Sequence, residues 1–201
     1  MRNPAQFPLL SRLLHWLMAV MVLAMLFIGV GMAASVSERY HLLVSIHKPL
    51  GMAILVLVVI RFISRLLNPP PPLPAHLALW QRLAAQMSHY LLYALMFALP
   101  LVGWAMLSAA RYPIVLYGPL QLPPILSHDA KLYAELRQLH TYLALLLFAT
   151  ILGHLGAALF HGLVYRDGVF TSMMPWRVRA GKAEPSAAAW NLPASDESRP
   201  A

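Results

Sequence analysis

Residues 138–165 read QLHTYLALLLFATILGHLGAALFHGLVY, and no Asp, Glu, Lys or Arg interrupts them. The stretch is longer than the ~20 apolar residues that a helix needs to cross the hydrocarbon core of a bilayer. It also carries His140, His154 and His161. An imidazole at membrane depth is costly unless it faces the protein interior and has a partner. The stretch therefore predicts a transmembrane helix with a functional face.

Three further segments have the same character. Residues 13–37 and 83–110 are free of charge, and residues 49–60 continue past Arg61 to Leu67. An arginine near a helix end is tolerated because its side chain can extend to the headgroups. The fold class we predict is an all-α membrane protein, a bundle of four transmembrane helices. Their expected bounds are 12–34, 46–67, 83–108 and 138–163.

Composition excludes several classes of protein. Of the 201 residues, 60% are hydrophobic and 11% are charged, whereas a soluble domain carries roughly 25% charged residues. An ordinary soluble enzyme, a disordered chain and a fibrous protein are therefore excluded. The absence of cysteine rules out disulfides, iron–sulfur clusters and covalent c-type haem. The net charge of +8 is spread between apolar segments, so we expect no nucleic-acid partner.

Lys and Arg residues set the expected orientation. Four spans place both termini on one side, and that side carries ten of the 15 Lys and Arg residues, which predicts cytoplasmic termini. We expect a membrane domain over residues 1–179 and a disordered tail over 180–201. A stiff linker with prolines at 69–72 and 74 should follow the second helix. The apolar outer loop, residues 109–137, should lie against the mouth of the bundle.

The first span has a second interpretation, as a cleaved signal peptide. Ala33, Ala34 and Ser35 resemble a small-residue cleavage site. The apolar stretch, however, exceeds the ~7–15 residues of a signal core, and it contains His15. We therefore interpret it as the first transmembrane helix.

The histidines predict two sites at different depths. His140 and His154 are separated by about 21 Å of helical rise and by only ~40° around the helix. His140 lies near the outer surface, where it can meet His47, and His154 lies near the inner surface, where it can meet His15. Each pair offers two imidazoles, which suits a b-type haem because both axial positions are filled without a thiol.

Glycines and one arginine agree with this arrangement. Gly29 follows His15 by fourteen residues, and Gly51 lies one turn after His47. Gly103 follows His89 in the same way as Gly29 follows His15. A flat macrocycle needs such close backbone approach, although glycines also serve simple helix packing. Arg61, fourteen residues after His47, should lie near the inner site, where it can pair with a haem propionate.

Alternatives to haem ligation remain at this stage. The histidines could be core residues with internal partners, or zinc ligands, although zinc prefers four close ligands of one geometry. His41, His76 and His128 are expected in solvated loops.

Several short motifs support a family resemblance. They are Ser11-Arg12-Leu13-Leu14-His15-Trp16, Ile46-His47 followed by Gly51, Val59-Ile60-Arg61, Ser88-His89-Tyr90, Ala98-Leu99-Pro100-Leu101-Val102-Gly103, Leu139-His140, Gly153-His154, His161 and Met173-Met174-Pro175. On these motifs, residues 8–176 resemble the bacterial cytochrome b561 family of four-helix, dihaem membrane proteins. The resemblance implies a multi-pass protein of the bacterial inner membrane that uses two b haems and ubiquinone.

The resemblance also implies roles for individual residues. His47 with His140 would ligate the outer haem, and His15 with His154 the inner one. His161 would contact the quinone and donate a proton, and His89 could share that role. Family members can carry a lysine near the position of His76, which puts a quinone contact by His76 in doubt.

The activity implied is oxidation of superoxide at the outer face and reduction of ubiquinone. Lys48, Arg111, Lys131 and Arg137 would form a positive mouth that steers the anion, although Lys48 and Arg137 could instead only neutralise haem propionates. The main alternative is a cytochrome b anchor and electron conduit for a hydrogenase- or dehydrogenase-type complex. A haem or metal transporter is a third class, but it would need a polar passage through the bundle.

Overall fold

The computed structural model describes residues 7–36, 38–68 and 77–176. Its four long helices are α1 (Leu9–Ala34), α2 (Glu38–Leu67), α3 (Leu79–Ala109) and α4 (Ala130–Phe160). Each is long and apolar enough to cross a membrane. The expected all-α bundle of four transmembrane helices is therefore confirmed. The proline linker, His76 and the tail over residues 180–201 lie outside the described residues.

All four long helices begin earlier than predicted, and the second and fourth do so by the most. The second starts at Glu38 and the fourth at Ala130, and not at residues 46 and 138. Charged residues mark where a helix leaves the hydrocarbon, but they do not end it. Asp129 caps α4, since its side chain accepts a hydrogen bond from the Leu132 amide at 3.0 Å. His41, expected in a loop, consequently lies on an exposed face of α2.

The outer loop contains a small β-hairpin, an addition to the all-helical prediction. Strands β1 (Ile114–Tyr117) and β2 (Leu120–Leu122) pair antiparallel around a turn at Gly118, whose φ is +50°. The hairpin lies on the bundle, as its apolar composition predicted: Lys48 Nζ donates to the Pro113 carbonyl at 3.2 Å. Trp104 Nε1 likewise donates to the Pro123 carbonyl at 2.9 Å.

The helices pack as two pairs with an apolar layer between the two ends. Helix α1 packs mainly on α2, and α3 packs mainly on α4. The central cluster draws residues from all four helices, and Val22, Ile54 and Leu147 each lie seven residues after a histidine of the predicted sites. Many apolar side chains point outward, such as Phe27 at 76% exposure, which suits a lipid environment. The buried members of the cluster are Val22, Ile54, Leu95, Leu99 and Leu147.

The inner end of α4 departs from a simple helix. A π-helical turn, His161–Tyr165, follows α4, and a short helix α5 (Val169–Ser172) comes after it. The residues that follow α5 contact the N-terminal half of α1. Arg12 donates to the Met174 carbonyl at 3.0 Å, and Trp16 Nε1 donates to the Met173 carbonyl at 2.8 Å. Hydrogen bonds therefore hold the N-terminal half of α1 against the residues that follow α5.

Candidate functional site

The outer level contains one pair of imidazoles. The ring centroids of His47 on α2 and His140 on α4 are 6.2 Å apart, with planes inclined by 64°. Both Nδ1 atoms are buried and have no hydrogen-bond partner within the described part of the chain. Buried polar atoms are rarely left unpaired. A Cβ built on Gly103 would lie 3.5 Å from the His140 ring, so the backbone of α3 borders this pair.

The inner level contains three imidazoles. The centroids of His15 on α1 and His154 on α4 are 6.4 Å apart. His89 on α3 lies closer to His154, at 5.3 Å between centroids, and its Nδ1 lies 2.6 Å from the Ala85 carbonyl. This hydrogen bond to its own helix ties down the His89 ring.

Arg61 lies at the inner level, as the spacing from His47 predicted. Its guanidinium donates to the Ser11 carbonyl at 2.9 Å and contacts His15 Nδ1 at 3.3 Å. A guanidinium can only donate, so this contact requires an unprotonated Nδ1 on His15. If the other ring nitrogen, Nε2, binds a metal, Nδ1 must carry the proton. Arg61 is then released from His15 to pair with an anion.

The separations test whether these residues suit a bis-histidine haem. A metal–nitrogen bond of roughly 2 Å on each side, plus roughly 1 Å from each nitrogen to its ring centre, gives about 6 Å between centroids. The His47–His140 and His15–His154 separations match that value, and the His89–His154 separation is shorter. The two matching pairs therefore fit one iron each.

Two further observations bear on whether these pairs would hold haem: the other possible metal ligands and the space around the glycines. Residues 7–36, 38–68 and 77–176 bring together no group of three or more His, Asp or Glu side chains that could hold a metal ion. A Cβ at Gly29 would meet nothing within 4 Å, whereas a Cβ at Gly51 would lie 3.6 Å from Met25 Cε. Close helix packing therefore does not explain Gly29.

The inner end of α4 carries a pair that the sequence analysis missed. His161 Nδ1 lies 2.6 Å from Asp167 Oδ2. The Asp167 side chain is 2% exposed and that of His161 is 16% exposed. The Arg166-Asp167-Gly168 run after the helix is a turn signal that would have placed Asp167 in a tight turn, although not against His161.

The outer mouth contains a cavity of about 470 Å³ between the end of α3 and the hairpin. Arg111, Tyr112 and His128 are among its lining residues. His128 lies in the loop as expected, with Nδ1 2.9 Å from the Ala109 carbonyl. Lys131 is paired with Glu135 at 3.9 Å. The residues that line the cavity include the cation Arg111 and no Asp or Glu.

Comparison with known proteins gives consistent matches over most of the chain. The family model described as prokaryotic cytochrome b561 matches residues 6–176. "Cytochrome b561 homolog 2" of Escherichia coli (strain K12) is 31% identical over 176 residues, which cover 86% of this chain and 93% of the relative. "Cytochrome b561 homolog 1" of the same organism is 29% identical, with 82% and 94% covered. "Probable superoxide oxidase CybB" of Yersinia pestis is 29% identical, with 81% and 92% covered.

Proposed function

The chain belongs to the prokaryotic cytochrome b561 family, and from that premise we propose that it oxidises superoxide at the outer face and reduces ubiquinone at the inner face. The resemblance drawn from the sequence motifs is thereby confirmed. Membership makes the chain a multi-pass protein of the bacterial inner membrane that binds b-type haem and transfers electrons. The number of haems, the electron donor and the quinone are parts of the proposal.

The observation that carries the proposal is the pair of imidazole separations at two depths. His47 and His140 would hold the outer haem, and His15 and His154 the inner one. The 6.2 and 6.4 Å centroid separations support this assignment. Two haems bound in this way would supply one-electron redox centres at both ends of the bundle.

The surrounding residues would insulate the two levels and balance charge. The apolar cluster around Leu147 lies between them, which excludes water from the middle of the bundle. Arg61 contacts His15, so it would pair with a propionate of the inner haem. The same arginine also holds the Ser11 carbonyl of α1, which orients the helix that carries His15.

The orientation we propose has both termini in the cytoplasm. Arg12, Arg61 and Arg166 lie towards one end of the bundle, and Lys48 and Arg111 lie towards the other. The larger number of basic residues in the whole sequence belongs to the first end, which supports a cytoplasmic position for it. The hairpin and the cavity would then face the periplasm.

Superoxide is proposed as the donor for two reasons. One relative carries the name "Probable superoxide oxidase CybB", and the outer cavity bears Arg111 and His128 on its lining. A positive mouth raises the encounter rate of a small anion. Two superoxide anions would each lose one electron and leave as dioxygen, and one ubiquinone would take up two electrons and two protons to become ubiquinol.

Quinone reduction is proposed at the inner end. His161 follows His154 by about 10.5 Å of helical rise, which supports a position between the inner pair and cytoplasmic water in the proposed orientation. Its imidazole can give a proton to a quinone oxygen and recover one from solvent. His89 is the second candidate for a quinone contact, because it adjoins His154 and is not needed for the two fitting pairs.

The test uses purified full-length protein. A reduced-minus-oxidised spectrum with haem quantitation should give two low-spin b haems per chain. Superoxide added to the protein in ubiquinone-containing vesicles should then form ubiquinol, with one ubiquinol for each two superoxide anions consumed. One haem per chain, or no quinol with two haems present, would contradict the proposal. Stable co-purification with a soluble catalytic subunit would favour the anchor alternative.

A further inference from the structure

The turn that follows α4 is built around one carboxylate. Arg166 and Gly168 both adopt left-handed backbone conformations, with φ of 49° and 85°. Gly168 tolerates this conformation, but for Arg166 it is strained. Two such residues on either side of Asp167 reverse the chain, and they bring the carboxylate back onto the last turn of the helix.

Several contacts hold the reversed chain in place. Asp167 Oδ1 accepts a hydrogen bond from the amide of Val169, the first residue of α5, at 3.1 Å. A Cβ at Gly162 would approach the Phe170 ring to 3.1 Å, so α5 packs directly on the π-helical turn. Asp167 Oδ2 remains to accept from His161 Nδ1 at 2.6 Å. The carboxylate therefore accepts hydrogen bonds from two different elements, the π-helical turn and α5.

The geometry points to a chemical role for this pair. A carboxylate that accepts from Nδ1 fixes the imidazole tautomer and leaves Nε2 for proton exchange. It also stabilises the imidazolium that forms when Nε2 takes up a proton. Single π-helical turns are frequent at functional sites, and this one presents His161 at its first position.

We propose that Asp167 is a positioning residue for proton delivery to the quinone, acting through His161. The proposal rests on quinone reduction at the inner end. Protonated His161 gives its Nε2 proton to a quinone oxygen as the electrons arrive, while Nδ1–H stays bonded to Asp167. The ring then recovers a proton from cytoplasmic water at Nε2. The pair thus supplies one of the two protons that each ubiquinone consumes.

The test is Asp167→Asn in the haem-loaded protein. Asparagine keeps the shape and can still accept from Val169, but it lacks the charge that stabilises the imidazolium. Reoxidation of the reduced protein by ubiquinone should slow about tenfold, with haem content and spectra unchanged. The solvent deuterium isotope effect on reoxidation should rise, because proton delivery becomes the slowest step. A loss of structure alone would slow the reaction equally in both solvents.

A matched control lies at the other end of the bundle. The Asp129 carboxylate likewise accepts a hydrogen bond from a backbone amide in the first turn of a helix, so Asp129→Asn makes the same chemical change on the outer side. It should leave reoxidation by ubiquinone and its isotope effect at wild-type values. Equal slowing in Asp129→Asn and Asp167→Asn would overturn the proposal, as would wild-type speed in Asp167→Asn.

A measurement on the wild-type protein keeps the proposal testable even if Asp167→Asn does not fold. Nitrogen-15 spectra of labelled histidines, with the His161 signal identified by its loss in His161→Phe, should show a protonated, hydrogen-bonded Nδ1. An unprotonated Nδ1 would overturn the positioning role. A wild-type protein that binds haem but is not reoxidised by ubiquinone would overturn the proposed function as well, which separates the two failures.

Discussion

The two ends of the bundle use the same residue type in different surroundings. At the outer level, His47 and His140 form an isolated pair whose Nδ1 atoms have no partner in the described part of the chain. At the inner level, His15 and His154 are accompanied by His89, and Arg61 contacts His15 directly. The His161–Asp167 pair lies beyond the inner level on the same helix.

The difference follows from what each end would exchange with its surroundings. Removal of an electron from superoxide releases dioxygen and moves no proton, so the outer end needs a redox centre and a positive entrance. Reduction of a quinone consumes protons as well as electrons, so the inner end needs titratable groups connected to water. The extra histidine, arginine and aspartate lie at the end where the proposed reaction would require proton chemistry.

The largest expected effect comes from removing one ligand of either pair. His154→Ala should lose the inner haem and keep the outer one, since about 21 Å of helix separates His154 from His140. His140→Ala should do the reverse, and either change should abolish electron transfer from superoxide to quinone. Haem quantitation with optical spectra measures the outcome. His128→Ala, in the outer loop, is the control that should retain both haems.

Retention of two low-spin haems by His154→Ala or by His140→Ala would contradict the pairing by depth. Loss of both haems in each variant would show that the two levels fold as one unit. The outer and inner levels would then not be separate sites.

A smaller effect is expected at the proton-delivery position. His161→Phe fills a similar volume but cannot carry a proton, so reoxidation by ubiquinone should slow about a hundredfold. Reduction of both haems by superoxide should be unchanged, because the outer end is untouched. Stopped-flow reoxidation measures the first effect and superoxide-driven reduction the second. Wild-type reoxidation would exclude His161 and direct attention to His89.

Substitution of Arg61 should affect the reduction potentials of the two haems differently. Arg61→Gln removes a positive charge beside His15, which stabilises the oxidised haem and lowers the reduction potential of the inner centre. The outer centre should hardly change, and Arg61→Lys should restore most of the inner potential. Spectroelectrochemical titration measures both centres.

Arg65→Gln is the matched control on the same helix, since Arg65 lies over the Tyr93 ring and should shift the inner potential less than Arg61 does. An equal shift of both centres in Arg61→Gln would show that the arginine does not belong to the inner level.

The smallest effect should be on the encounter with superoxide. Lys48→Gln should lower the rate about two- to threefold at low ionic strength, and the difference should vanish in high salt because the charge is then screened. Lys131→Gln should have less effect, since Lys131 is 88% exposed and paired with Glu135. Pulsed generation of superoxide at several salt concentrations gives the rates. A wild-type rate that does not change with salt concentration would show that charge does not steer superoxide to the outer end.

Much of the bundle could be predicted from the sequence because its signals are local. Uncharged stretches locate the spans, since the bilayer imposes one length on every crossing helix. The spacing of His140 and His154 sets their depth and face, since a helix has a constant rise and rotation per residue. The starts of α2 and α4 were predicted wrongly, because a helix can extend past the bilayer. Helix α4 does so as far as its cap at Asp129, which stabilises the first turn.

Other features depend on how the chain folds back on itself. The closeness of His89 to His154 depends on the packing of α3 against α4. The contact between His161 and Asp167 depends on left-handed conformations at Arg166 and Gly168. The sequence by itself therefore determined the number of spans, their apolar faces and the depths of the histidines. Only the tertiary structure decided which side chains meet at the inner end, because helix packing and turn conformation bring together groups that no local periodicity relates.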